Sequence, residues 1–315
     1  MRAPEPLAQP LAETGMEKTP SLPPLRGELR RDEPLARHTT WRVGGPARCF
    51  YRPADAADLA LFLGRLAPDE PLLWLGLGSN LLVDDAGFPG TVICTQGRLN
   101  DLALRETSWL RAQSGVSCAR LARFAARAGL AGVEFLAGIP GTLGGALALN
   151  AGAHGGETWT RVRKLLTISR LGEIRERNPA DFRIGYRQVE GPPEEWFLAA
   201  ELELEPDDPA ACQGRIRELL ERRNRTQPIG QPSCGSVFRN PPGDYAARLI
   251  EAAGLKGERQ GGAQVSTLHA NFIINTGEAS ASDIRRLIER VRTTVARHSG
   301  VHLRPEVHFI GGEAL

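Results

Sequence analysis

The stretch AGIPGTLGGALALNAGAHGGE, Ala137–Glu157, holds seven glycines in 21 residues, about three times the density of the whole chain, which has 35 in 315. It also carries Ile139, Leu143, Leu147 and Leu149, so it is no flexible linker. A backbone stripped of side chains yet held by apolar anchors is one that something must approach closely. A second run, LGLGSNLLVDDAGFPG at 75–90, places Gly76, Gly78, Ser79 and Asn80 at a turn after a strand-like segment. Successive backbone N–H groups at such a turn form a nest for anionic oxygens, and Ser79 and Asn80 add neutral donors. Two donor-rich loops around one anion suit a diphosphate. Known phosphate fingerprints are absent: Gly76-Leu77-Gly78 is followed three residues later by Leu81, and no GxxxxGK[ST] occurs. Taken singly, each glycine loop reads equally well as a tight turn between strands.

The bulk numbers narrow the class. A chain of 315 residues has room for two or three domains, and 41% hydrophobic with 24% charged residues is an ordinary globular composition. With 39 basic against 37 acidic residues the net charge is +2, which argues against a nucleic-acid partner. Cys49, Cys94, Cys118, Cys212 and Cys234 are scattered, with no CxxC pair and no Cys/His spacing, so neither a metal site nor a disulfide framework is expected. No apolar run reaches membrane-spanning length, and the start lacks a secretory signal. We expect a cytoplasmic protein with reduced thiols and no membrane partner.

Residues 1–26, with six prolines, read as a disordered leader in which Met16 is a second possible start. Strand-like runs follow at 71–78, 90–96 and 109–116. A helix is expected from Ser117 to about Ala128, with Leu121, Phe124, Ala125 and Ala128 on its apolar face. Strands near Val162–Arg170 and Trp196–Glu205 lead to a helix at about Pro209–Arg223, and TQPIGQPSCGS then marks a junction. Beyond it lie a helix ending at Gly254, a strand in ANFIINTG, and a helix that starts at Ser280 with Asp283 three residues on and closes at Gly300. In VHLRPEVHFIG, alternation sets Leu303, Val307 and Phe309 against Arg304, Glu306 and His308.

In family order, TTWRVGGPA (39–47), LGLGSNLLV (75–83), GVEFLAGIPGTLGGALALNAGAHGGE (132–157), GYR (185–187), CGSVFRNP (234–241), HANFIINTG (269–277) and LRPEVHFIG (303–311) resemble the UDP-N-acetylenolpyruvoylglucosamine reductase (MurB) family. The resemblance spans roughly residues 35–312. It implies an α+β chain with an FAD-binding fold of the vanillyl-alcohol-oxidase type: subdomains at 27–95 and 96–228, then a C-terminal substrate-binding domain at 229–315. It further implies noncovalent FAD, although His154 lies inside the glycine-rich stretch. The flavin contacts would come from Gly76, Gly78, Ser79, Asn80, Gly138, Ile139, Pro140, Gly141, Gly144 and Gly145. NADPH as hydride donor and a UDP-sugar as substrate are the implied small-molecule partners, and a monomer is expected.

The implied reaction adds hydride to the β-carbon of an enolpyruvyl ether, drives charge into the substrate carboxylate and then protonates the α-carbon. That chemistry calls for a cation at the carboxylate and an acid above the α-carbon. By motif position Arg187 is the cation, suited by its fixed fork of donors. Ser236 is the proton donor, with Cys234 a neighbour two residues away. Glu306 is the catalytic glutamate, either protonated beside the forming dianion or acting by orienting Arg187 or a water. Asn240 and Lys256 are the candidate contacts to the UDP-sugar. Without the family pattern, Arg187 reads as a surface ion pair, Ser236 as a turn serine and Glu306 as part of a solvated strand face. Arg239 and His38 stand where lysine and asparagine are frequent. The chain has only Tyr51, Tyr186 and Tyr245, none in the inserted loop that carries a substrate-clamping tyrosine in some members. The rival readings are another flavin oxidoreductase on the same scaffold and a non-catalytic nucleotide-sugar binder.

Overall fold

The strand Pro46–Arg52 organises the first unit. It pairs antiparallel with Glu28–Pro34 and parallel with Phe88–Cys94, and Leu72–Leu75 joins Phe88–Cys94 in parallel on the far side. The parallel pairs require a crossover, and helix α1 (Ala56–Leu63) lies within it, capped by the Asp55 side chain on the Asp58 N–H. The computed structural model describes residues 23–312. Met16 and the first 22 positions of the expected leader lie outside the described residues. Its last positions belong to the folded unit: Leu25 packs against the core, and Arg26 pairs with Asp55 at 2.6 Å.

The second unit is a five-stranded antiparallel sheet in the order Ile174–Arg177, Val162–Ser169, Glu195–Glu203, Trp109–Gln113 and Leu102–Glu106. Helices α2 (Cys118–Arg127), α3 (Leu143–Ala148) and α4 (Pro209–Thr226) supply side chains to its core. Ser117 caps α2 as the sequence suggests, but the buried face is Leu121, Ala122, Ala125 and Ala126, while Ala128 is exposed. Burial runs along the helix as far as Ala126, and Ala128 is the C-cap past its last residue.

In the C-terminal unit, helices α5 (Ala246–Ala252) and α6 (Ala281–Ser299) share a core with the small antiparallel sheet Arg259–Gln260, Ala263–Val265 and Ile273–Asn275. Helix α6 opens on the expected capping box of Ser280 and Asp283 and closes at Gly300 with φ 71°.

The units are laced together. Trp41 is fully buried in the C-terminal core, its indole N–H donating to the Ile273 carbonyl at 2.8 Å. Asp85 accepts from the Ala281 and Ser282 N–H groups and the Ser282 hydroxyl, at 2.8, 2.9 and 2.7 Å, and so holds the first turn of α6. The late strand His308–Ile310 pairs in parallel with Leu81–Val83, just past the first glycine loop. Among the described residues no helix is long and apolar enough to cross a membrane.

Candidate active site

The two glycine loops touch one another and together line one cavity of about 530 Å³, within the range of small-molecule sites. The first leaves the strand Leu72–Leu75 and turns at Gly78, whose φ of +65° and position, 2.1 Å from the His38 carbonyl oxygen to any added Cβ, admit only glycine. The second is held by its backbone. Cys118 N–H donates to Gly141 O at 3.0 Å, Leu143 N–H to Val116 O at 2.8 Å, and Gly144 N–H to Ser114 O at 2.8 Å. Leu143 and Leu147 are fully buried, each worth about 1.5–3 kcal/mol by area, and Ile139 packs partly against the same core. Three of the four expected anchors are so placed; Leu149 is half-buried and lines the cavity instead.

Gly76, Gly78, Ser79, Asn80, Gly138, Ile139, Pro140, Gly141 and Gly145 line this cavity, as do Arg187, Ser236, Asn240 and Glu306. Gly144 and Lys256 do not. Gly144 lies against Ser114, 3.0 Å from its Cβ to an added side-chain carbon, so it serves loop packing. Lys256 pairs with Glu251 at 2.7 Å. The side-chain donors expected of the first loop are partly engaged inside the chain: the Ser79 hydroxyl bonds the Pro140 carbonyl, and the Asn80 amide gives one of its two N–H groups to the Glu306 carbonyl at 3.1 Å. Asn240 lines the cavity while its Oδ1 accepts from Ala246 N–H at 3.1 Å, leaving its NH₂ for a ligand. His154 is exposed, with φ 53°, and is not among the lining residues.

Arg187 sits at the turn of the hairpin Arg183–Gly185/Gln188–Glu190 with φ 54°, a conformation that costs a non-glycine residue about 1–3 kcal/mol. Three hydrogen bonds hold it: Nε to Glu306 Oε1 at 3.0 Å, Nη1 to Asn150 O at 3.2 Å and Nη2 to Gly152 O at 2.5 Å. The glycine-rich stretch therefore orients the guanidinium as well as lining the cavity. Arg187 and Glu306 are each 18% exposed, so their attraction is far less screened than that of a surface pair. Burial raises the Glu306 carboxyl above its ordinary value, and Arg187 and Arg239 only partly offset this. Glu306 reaches the site through the pairing of His308–Ile310 with Leu81–Val83, reinforced by His308 N–H to Asn80 O at 3.0 Å.

Ser236 follows Gly235, which has φ 82°, and its hydroxyl bonds no other group among the described residues. Cys234 is buried in the same wall, and burial together with Glu306 pushes its thiol well above the ordinary range.

Two features of the cradle fit a flavin dinucleotide. An added Cβ on Gly76 would stand 2.4 Å from Thr142 Oγ1, so the two loops touch with no room for a side chain. That hydroxyl is buried and unpartnered, a donor that nothing among the described residues receives. Thr142 was not picked out from sequence, and neither were Tyr186, Arg223, Gln227, Phe272 and His308, all in the lining. The GYR and HFIG motifs contained Tyr186 and His308; for Arg223 the only sequence cue was a helix end.

These walls and this cradle define a flavin-binding protein, and an FAD binding domain family model matches residues 47–177. The C-terminal domain model of UDP-N-acetylenolpyruvoylglucosamine reductase matches residues 227–310. The enzyme of that name from Alkalilimnicola ehrlichii is 65% identical over 285 residues, 90% of this chain and 95% of that protein. The Methylococcus capsulatus enzyme is 59% identical, over 91% of this chain and 95% of its own length. The crystal structure of UDP-N-acetylenolpyruvylglucosamine reductase (MurB) from Thermus caldophilus superposes with a TM-score of 0.77 at 33% identity, covering 91% of this chain and 99% of that one. The chain belongs to the UDP-N-acetylenolpyruvoylglucosamine reductase family.

Proposed function

We propose that the chain catalyses the NADPH-dependent, FAD-mediated reduction of UDP-N-acetylglucosamine enolpyruvate to UDP-N-acetylmuramate, a cytoplasmic step in making peptidoglycan precursors. The observation that carries the residue roles is the Arg187–Glu306 pair at 3.0 Å, held against both glycine loops in the lining of the cavity that Ser236 shares. We assign residues 27–95 and 96–228 to flavin binding and 229–315 to substrate binding. Hydrophobic clusters centred on each unit support that division, although Leu99, Ile168 and Leu198 join a cluster of the first unit, and Trp41, Val43 and Leu82 cross into the third. One chain supplies every group assigned, so we take the monomer as the working unit.

Bound flavin would supply the hydride that NADPH had delivered to it; the chain's own residues do the rest. Gly138, Gly141 and Gly145 admit the cofactor backbone-close, Gly76 and Gly78 let the first loop pack tightly against Thr142 and His38 beside it, and Thr142 offers its free hydroxyl. Arg187 has one donor on Glu306 and two on carbonyls, leaving part of its five-donor fork for the substrate carboxylate, where charge develops. Glu306 fixes that orientation. Its raised pKa lowers the cost of taking up a proton as negative charge grows beside it. Ser236, unengaged within the chain, gives its proton to the α-carbon.

Anaerobic visible spectroscopy tests this directly. Flavin absorption should bleach with NADPH and return when the UDP-enolpyruvyl sugar is added. In Ser236→Ala, bleaching should persist while return slows by about 10²–10⁴-fold, the range for a lost general acid. Equal loss of both phases would remove Ser236 from the chemistry, and a wild-type flavin that never returns with this sugar would remove the substrate assignment.

A further inference from the structure

A second cavity, of about 380 Å³, adjoins the first, and Pro140, Arg223, Gly235 and Phe272 line both. It also holds Thr40, whose hydroxyl oxygen is buried without a partner. Of the four shared residues only Arg223 carries charge. It stands in the last turn of α4, its Nε donates to Gln227 Oε1 at 3.1 Å, and its Cδ lies 3.5 Å from where a Cβ on Gly138 would be. Among the described residues no carboxylate is paired with it. The contrast with Arg187 is plain, since that guanidinium is balanced by Glu306.

A partly desolvated cation without a counter-charge costs free energy unless something outside the chain supplies the anion. The protein does supply an acceptor for one of its donors, Gln227, but a neutral one. The remaining fork fits two phosphate oxygens. From these placements we propose that Arg223 is the counter-charge for the flavin's diphosphate, held where the ligand crosses from one cavity to the other beside Gly138. The proposal rests on the reading that the flavin occupies the glycine-walled cavity. Burial lowers the Arg223 guanidinium pKa, and no anion among the described residues acts against it. The competing structural role is a cation answering the carbonyls at the C-terminus of α4. In that case the charge would matter equally with and without ligand.

The test uses the full chain stripped of flavin and titrated with FAD by fluorescence quenching, at low and high salt, for wild type, Arg223→Gln, Arg223→Lys and the exposed neighbour Arg222→Gln. We expect Arg223→Gln to weaken FAD binding about 10- to 100-fold, as loss of a charge-assisted bond does. Its remaining affinity should depend less on salt, Arg223→Lys should recover part of the loss, and Arg222→Gln should match wild type. The melting temperature of stripped Arg223→Gln should be no lower than that of stripped wild type. Unchanged FAD affinity in Arg223→Gln would overturn the proposal. So would a variant that binds FAD normally but shows a raised KM for the UDP-sugar, which would give the charge to the sugar diphosphate. Wild type failing to take up FAD would instead sink the flavin reading of the cavity, and the assignment of Arg223 with it.

Discussion

Glu306 illustrates how one side chain changes meaning between sequence and structure. Alternation correctly sets it opposite Leu303 and Val307, both buried, but its polar face looks into a cavity and not into bulk water. Periodicity reports which side of a strand a residue occupies and says nothing about what lies on that side. The consequence is a pH effect. The folded-state pKa of Glu306 is raised above its ordinary 4.5, so the folded chain holds that proton more tightly than the unfolded one. Its contribution to stability is fully present below about pH 4.5 and is lost as pH rises through the raised value. Glu306→Gln, which cannot ionise, should therefore gain in melting temperature relative to wild type as pH increases across that window. A difference that stays flat with pH would mean the carboxyl is not perturbed.

Elements with local signals were legible. The capping box of α6, the Ser117 cap of α2 and the closing Gly300 all lie within a few residues of the helix they punctuate. What holds an element in place was not. Asp85 lies 196 residues from Ala281, and nothing in VDDAGF marks it as the group that meets the first turn of α6. An aspartate on two free N–H groups and a hydroxyl acts as a cap supplied from another unit. Asp85→Ala should cost about 1–2 kcal/mol by chemical denaturation. Asp85→Asn should recover part of it, because one amide oxygen remains to accept. Equal behaviour of the two variants would show that the charge, and not the acceptor geometry, matters. The second glycine loop was similarly half-read. Its buried leucines were evident, while its hydrogen bonds to 114–118 depend on a bridge no local pattern announces.

At the scale of the whole molecule, the motifs pointed to the right family, and the cavity they build draws on all three units. Trp41, Asp85 and the strand His308–Ile310 each cross between them, so the units share their stability instead of summing it. A ligand seated against both glycine loops and the C-terminal wall should then act on the global transition. At a hundredfold excess over Kd, FAD should add about 2.7 kcal/mol to unfolding. Stripping the flavin should lower the melting temperature in one cooperative transition; a split into two would show that the C-terminal unit melts by itself.

The parallel strand that carries Glu306 to the first glycine loop has a bearing on the order of folding. The Asn80 side chain and the Glu306 carbonyl it bonds are 226 residues apart, and the Arg187 side chain waits across a separation of 119 for the same residue. Contacts of such range carry the largest loop-closure entropy and form late. The glycine cradle, closed by backbone bonds between 114–118 and 141–144, needs no such reach. A chain that closes its contacts in order of loop length would complete its nest for phosphate before Glu306 and the guanidinium of Arg187 have met, and would be a holder of nucleotide first and a catalyst last.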